Sequence, residues 1–344
     1  LPEEKMRVFF IFLLMIMFFA VSCKTEEVYV KSKQSQMKGQ DGQTEKEKKD
    51  EINDVGIHNL ENGDKYIGGF KNNRKHGEGE YIYATGERYK GMFENGVYNG
   101  YGEHILVDGT KYIGEFRNGL REGTGTLFLT SGARYEGQFH DDLMHGEGVY
   151  RFSDEREYRG LFAKGIRQGK GVMLFPSGAE YEGDFKNDKM TGKGKMRYKN
   201  ENYYEGDFID GKREGKGVLK KNNGDVYDGT FLANAMHGKG KYTFANGDEY
   251  TGSIKMEKFT GEGVMKKTNG DVYKGTFLDG VYHGLGKLTG KNGSILYGMW
   301  HYGKLARQLP VPENEEESTD DVAESENDIN ESDSGAEPSG FDEE

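Results

Sequence analysis

The chain has 344 residues and a formal net charge of −12, with 53 glycines, 22 tyrosines and 20 phenylalanines but a single cysteine. One cysteine excludes an internal disulfide framework, and an apolar share of only 34% suits a one-layer sheet better than two thick globular cores. The acidity is local: Glu313 to Glu344 hold 15 acidic residues and no basic one, so 59 less 15 leaves 44 acids against 47 bases elsewhere, a net of +3.

At the N-terminus, Val8 to Ala20 is an unbroken apolar run of 13 residues that follows Arg7 and ends in Ala20-Val21-Ser22-Cys23. It is short for a bilayer span, whereas a basic start, an apolar stretch and a small-residue end match a secretory signal over residues 1–22. Cys23, placed after Ala-Val-Ser and before a charged stretch, resembles the modified cysteine of the bacterial lipoprotein lipobox, with Ala20 in place of the more usual leucine. That resemblance implies a lipid on Cys23. A cleaved signal or an uncleaved anchor fits the same run without one. Residues 23–56, rich in Lys, Glu and Gln, read as a flexible charged linker.

From Tyr66 onward the pattern Tyr-x-Gly-x-Phe recurs every 23 residues. The anchors are Tyr66/Phe70, Tyr89/Phe93, Tyr112/Phe116, Tyr135/Phe139, Tyr158/Phe162, Tyr181/Phe185, Tyr204/Phe208, Tyr227/Phe231, Tyr250/Ile254 and Tyr273/Phe277, and Leu296, Gly298 and Trp300 keep the register once more. A fixed period of this size describes units that bury their apolar face only by stacking on their neighbours. In the unit from Tyr181, alternation of Tyr181, Gly183 and Phe185 with Glu182 and Asp184 gives a strand with one aromatic and one charged face. Residues 186–190 read as a turn, and a second strand starts at Gly192-x-Gly194 and runs through Met196 and Tyr198. A glycine pair weakens a strand unless something must approach its backbone closely, so the aromatic rings are expected to lie flat over both glycines. The expected fold is all-β: an elongated, single-layer antiparallel β-meander of about eleven hairpins over residues 57–304, on the order of 100 Å long at the usual strand spacing. The tail, residues 305–344, is too polar and acidic to bury a core and is expected to be disordered.

A YxGxF strand followed by an x-x-G-x-G strand at this period resembles the MORN (membrane occupation and recognition nexus) repeat family over roughly residues 60–304. Asn73, Asp142, Asp188, Asn234 and Glu257 replace the usual turn glycine, Glu155 and Glu201 replace the second-turn glycine, and Ile254 replaces the phenylalanine. The resemblance implies a non-catalytic array. Some members of the family carry an enzyme domain beside their repeats, but about 34 residues before the array and 40 after Lys304 are too few for one.

No GxxxxGK[ST], HExxH or CxxC motif occurs, so no catalytic residue, cofactor or metal is expected, and no nucleic-acid module is present. His76, His145, His237 and His283 share one repeat position, but the nearest two are two repeats apart, about 19 Å, and cannot share an ion. They read as turn residues. The column Lys170, Lys193, Lys216, Lys239, with Lys195 and Lys241, faces Glu136, Glu182, Asp184, Glu205, Asp207 and Asp228, which predicts a cross-strand charge zipper rather than a basic stripe. Lys220, Lys221, Lys266 and Lys267 stand outside that zipper and are the candidates for anionic contacts.

The expected function is a non-catalytic binding scaffold at a membrane surface, extracytoplasmic, offering its anchor aromatics from Tyr66 to Trp300 as a contact face to an extended protein or lipid partner. Self-association is left open. One alternative is an intracellular structural part of a cilium or cytoskeletal assembly, because radial-spoke members of the family resemble this array and end in acidic tails. A third reading, implied by the family's name, is direct phosphoinositide or anionic lipid binding.

Overall fold

The computed structural model describes residues 54–312. Among them, 23 strands from β1 (Asp54–Asn59) to β23 (Lys304–Gln308) form one sheet, each paired antiparallel with its neighbours in the chain. Short turns join consecutive strands, so local pairing wins over any distant one. Among the described residues the sheet is open at both ends: β1 pairs only with β2 (Lys65–Lys71), and β23 only with β22 (Ile295–His301). The strands begin and end slightly outside the expected 57–304. Among the described residues no helix is long and apolar enough to cross a membrane. The N-terminal segment with Cys23, nearly all of the linker, and the tail from Glu313 lie outside the described residues.

The hairpin of β12 (Glu180–Lys186) and β13 (Lys189–Arg197) shows how one unit is built. Its turn is tighter than the five residues expected: only Asn187 and Asp188 lie between the strands, both left-handed with φ of 51° and 66°. Two left-handed residues make the turn whose twist matches that of the flanking strands. The second strand therefore starts at Lys189, not Gly192. It also stops earlier, because Tyr198 opens the next turn, its N–H donating to the Asn202 carbonyl at 2.9 Å and its carbonyl accepting from Glu201 N–H at 2.9 Å.

The two glycines of the second strand answer two different demands. Gly183 faces Gly194 while the adjacent Asp184 faces Thr191, so Gly192 and Lys193 bulge out of the hairpin ladder. They pair instead with Phe208 and Asp207 of β14 (Tyr203–Ile209). Gly192 has φ of 59°, a region that costs a side-chain-bearing residue about 1–2 kcal/mol. Backbone conformation fixes this glycine, and no ring covers it. The ring of Tyr181 lies over Gly183 and Gly194, so the expectation of aromatic on glycine holds for the second glycine and fails for the first.

The core is a row of rings rather than a second layer. Tyr181 meets Phe185 of its own strand at 5.4 Å and 84°, and Phe208 of the next hairpin at 4.9 Å and 79°. Edge-to-face pairs of this kind contribute about 0.5–1.5 kcal/mol beyond area burial. The Tyr181 hydroxyl donates to the Asp184 carbonyl at 3.0 Å, which satisfies the one polar atom that the ring buries. Where Ile254 replaces the phenylalanine it is still buried, and Phe259 stacks on Tyr250 at 3.9 Å, restoring aromatic contact within that hairpin.

Candidate functional site

The anchor rings are enclosed. Tyr66, Tyr89, Tyr135, Tyr158, Tyr181, Tyr204, Tyr227, Tyr250 and Tyr273 have no exposed surface. Phe93, Phe116, Phe139, Phe162, Phe185, Phe208, Phe231 and Phe277 are buried as well, and so are Tyr112 and Trp300. Only Phe70, beside β1, is partly open. This corrects the expectation that the anchors from Tyr66 to Trp300 form a contact face. Each tyrosine fills a glycine gap, and each phenylalanine after Phe70 wedges between two tyrosines: Phe139 lies 5.1 Å from Tyr135 and 4.9 Å from Tyr112, and Phe162 lies 5.2 Å from Tyr158 and 5.0 Å from Tyr135. Phe116 and Phe231 are held in the same way, by Tyr112 and Tyr89 and by Tyr227 and Tyr204. Rings that fill the glycine gaps and one another's edges have no face left to offer.

A column missed by the sequence reading closes the rings over. The second residue of each second strand lies across the tyrosine: Tyr98 stacks on Tyr89 at 3.6 Å, Tyr282 on Tyr273 at 3.7 Å, and Arg121, Arg167 and Arg213 place their guanidinium carbons 5.5–5.7 Å from the centroids of Tyr112, Tyr158 and Tyr204. These positions fall in the segment taken for a turn. The legible signal was their alternation, since Arg121, Arg167 and Arg213 are separated by Met144 and Met190.

Four of the five departures from the turn glycine are explained by the same column. Asp142 accepts from Arg121 N–H at 2.8 Å and from its Nε at 3.2 Å, and Asp188 accepts from Arg167 N–H at 3.0 Å and Nε at 2.8 Å. Asn234 accepts from Arg213 N–H at 2.9 Å, and Glu257 from Met236 N–H at 2.9 Å. A polar residue in the turn thus fastens one hairpin to the hairpin before it. Where the turn keeps glycine, as at Gly165 and Gly211, a backbone bond to Met144 or Met190 takes that place, joined at the second turn by an exposed Lys189–Asp210 ion pair.

The opposite edge carries a second set of fasteners. Asp64 accepts from the Tyr81 hydroxyl at 2.5 Å and from Ala84 N–H at 2.8 Å, and these two bonds hold its carboxyl below the usual carboxylate range. Burial, then the bond to Asp64, pushes Tyr81 up to about 12. Asp248 accepts from Lys267 Nζ and Thr268 N–H, both at 2.8 Å, and is likewise held low, first by the lysine and then by the amide.

These edges revise the four anionic-contact candidates. Lys267 is bound to Asp248, and Lys221 donates to the Tyr242 hydroxyl at 3.0 Å. Both are fasteners. Lys220 and Lys266 remain exposed.

On the charged face the zipper forms in part. Lys170 meets Asp184 at 2.7 Å, Lys193 meets Asp207 at 2.7 Å, and Lys195 meets Glu205 at 3.8 Å, whereas Lys241 pairs with Glu249 at 2.6 Å. Lys216 and Lys239 face Thr230 and Ser253 across the ladder, and Glu136 pairs with Arg134 and Arg151 instead of a lysine. The four repeat histidines sit in strands beside the bulge, not in turns as expected. Among the described residues, Glu122, His140 and Asp141 could bring ligand atoms within 4.8 Å of one another, but Glu122 already accepts from His140 and from Asp141 N–H.

Between the charged rows the same face holds an open groove of about 770 Å³. Its floor is backbone, from Gly160, Gly171, Gly183, Gly194, Gly206 and Gly217, and its walls include Arg159, Val172, Lys195, Glu205 and Val218. The glycine gaps themselves open to the other face, where the rings fill them, so on this face the floor is main chain between the charged rows.

The MORN repeat family model matches residues 66–88, 89–111, 112–134, 135–155, 158–180, 181–203, 204–226, 227–249 and 273–295. The unmatched stretch between the last two contains Ile254 and Glu257, yet it folds as a hairpin like the others. No curated protein matches the chain. Among solved structures, the TCP10 domain of Danio rerio CPAP in complex with a STIL peptide is 10% identical, covering 71% of this chain and 98% of its own, with a TM-score of 0.37. The Drosophila melanogaster SAS-4 TCP domain with a proline-rich motif of Ana2 is 12% identical, covering 52% and 90%, with a TM-score of 0.30. A streptogramin B lyase is 13% identical, covering 72% and 83%, with a TM-score of 0.13. At these TM-scores the likeness identifies neither fold nor partner. The nine matched repeats cover more than half of the sequence, and the chain belongs to the MORN repeat family.

Proposed function

We propose that this chain is a non-catalytic binding scaffold that receives an extended protein segment in the glycine-floored groove, and that its N-terminal segment holds it at a membrane surface. The observation that carries the reading is the groove itself. Its volume of about 770 Å³ falls within the range of roughly 300–1,000 Å³ of ligand sites. Val172 and Val218 supply apolar contact, lysines and glutamates of both signs line its length, and the bare backbone floor lets a second main chain come close. The enclosed rings beneath serve this surface by making it stiff. Membrane attachment rests on the apolar run from Val8 to Ala20 and on Cys23.

Each half has its own test. Panning a displayed peptide library against the full chain should enrich sequences whose binding disappears when Val172→Trp and Val218→Trp fill the groove. No enrichment, or binding that survives the filling in a chain of unchanged circular dichroism, would overturn the groove. For attachment, wild type and Cys23→Ser are expressed in a lipoprotein-competent bacterium with radiolabelled palmitate. Label in wild type alone supports lipidation, and label in both or neither refutes it.

A further inference from the structure

In each complete repeat a tyrosine ring covers two facing glycines, as Tyr66 covers Gly68 and Gly79, and Tyr89 covers Gly91 and Gly102. Among the described residues, β1 carries the second of these glycines without a strand that brings the ring. Gly56 stands one period before Gly79, yet among the described residues the nearest side-chain atom to its ideal Cβ position is His58 Nε2 at 3.7 Å, whereas a tyrosine hydroxyl lies 2.6 Å from that of Gly79. The ring would have to come from a strand on the free edge of β1. At the positions that the period assigns to Tyr, Gly and Phe there, the chain has Gln43, Glu45 and Glu47.

The rest of β1 is suited to such a strand. His58 lies two residues after Gly56, as His104 lies two after Gly102 in β5 (Val97–Ile105), and His104 faces Tyr89 across the ladder. On the other face Val55 and Ile57 are 70% and 64% exposed, with Ile57 beside Ile67 of β2, where Glu80 and Glu103 occupy the same place in the next two repeats. The far edge of the sheet differs: β23 carries Lys304 and Arg307 and is followed by Pro310, features that discourage strand addition.

We propose that the free edge of β1 is an acceptor site for one extended segment of the pattern Tyr-apolar-Gly. The incoming glycine faces Gly56, the apolar residue packs on Ile57, and the tyrosine stands opposite His58 with its ring over Gly56. Main-chain pairing supplies affinity and the ring seat supplies selection. The site is separate from the groove and does not depend on it.

The probe is a labelled, end-blocked heptapeptide with the sequence of β6 (Lys111–Arg117), KYIGEFR, titrated into the full chain in detergent and followed by fluorescence anisotropy. Saturable binding is expected, weakened at least tenfold by Tyr112→Ala or Gly114→Val in the peptide. In the chain, Gly56→Val should abolish binding yet leave the circular dichroism unchanged, because among the described residues no atom crowds that position; Ile57→Lys should weaken it independently. No binding, or binding indifferent to these changes, overturns the proposal. So does a disulfide-linked dimer of Gly56→Cys in a Cys23→Ser background, which would show a second copy of the chain covering the edge.

Discussion

Tyr181 and Gly194 compete for one volume: a Cβ on Gly194 would lie 2.4 Å from the ring's Cε2 and 2.7 Å from its hydroxyl. Real Cβ atoms do not come this close to other atoms, so either the ring or the side chain can exist there, not both. The neighbouring Lys193 is 72% exposed and pairs with Asp207 in solvent.

Gly194→Val should therefore lower stability by roughly 1–3 kcal/mol, the usual cost of overpacking. Lys193→Ala should change it by about 1 kcal/mol at most, as for an exposed ion pair. Urea midpoints compare the two, and equal midpoints would show that the ring is not held where it stands.

Glu201→Gly should act in the opposite direction. Glu201 is left-handed, with φ of 66°, and exposed. Relief of about 1–2 kcal/mol of conformational cost is offset by roughly 0.5–1 kcal/mol of extra glycine entropy, leaving a gain of up to about 1.5 kcal/mol. A lowered urea midpoint would contradict the strain argument.

Strand identity, the meander and the aromatic row were legible because period two and period 23 are both written in side chains. The bulge was not, because nothing in Gly192-Lys193-Gly194 says which glycine serves backbone and which serves space. Nor was the burial of the rings, which depends on Arg167 and Met190 reaching back across a turn that the sequence made too long. The charge zipper was half legible: Asp184 and Asp207 were placed opposite lysines correctly, but Thr230 and Ser253 end the pattern. The groove left no trace in the sequence, since a floor of backbone has no residue type of its own beyond glycine.

Alkaline pH should unfold the array abruptly. Burial pushes Tyr158, Tyr227 and Tyr250 up to about 12 from an ordinary value of 10.0. A group raised in the folded state favours folding fully below its unfolded value, and that contribution is lost as pH climbs from 10 through about 12. Tyrosinate absorbance should rise together with loss of the sheet signal; a gradual titration with the sheet intact would show that the rings are open to solvent.

At the loop edge, Asp248→Ala should release the fastener to the next repeat. Amide exchange at Thr268 should quicken while Thr191, three hairpins away, keeps its rate. The same fastener should weaken in acid: Asp248 is held low by Lys267 and then by Thr268 N–H, so its contribution is present above the ordinary carboxylate value near 3.8 and is lost as pH falls below it. Unchanged exchange at Thr268 in the variant would remove Asp248 from this role.

The alternation of Arg121, Arg167 and Arg213 with Met144 and Met190 gives the array a parity. Excising residues 158–180 would splice Met144 to the Asp188 turn, leaving a carboxylate with no guanidinium to meet. Excising residues 158–203 would splice Met144 to the Gly211 turn, like for like with Gly165. The second deletion removes twice as much protein, yet it is the one whose junction should melt with the rest of the array, so between Arg121 and Arg213 this molecule shortens more cleanly by two hairpins than by one.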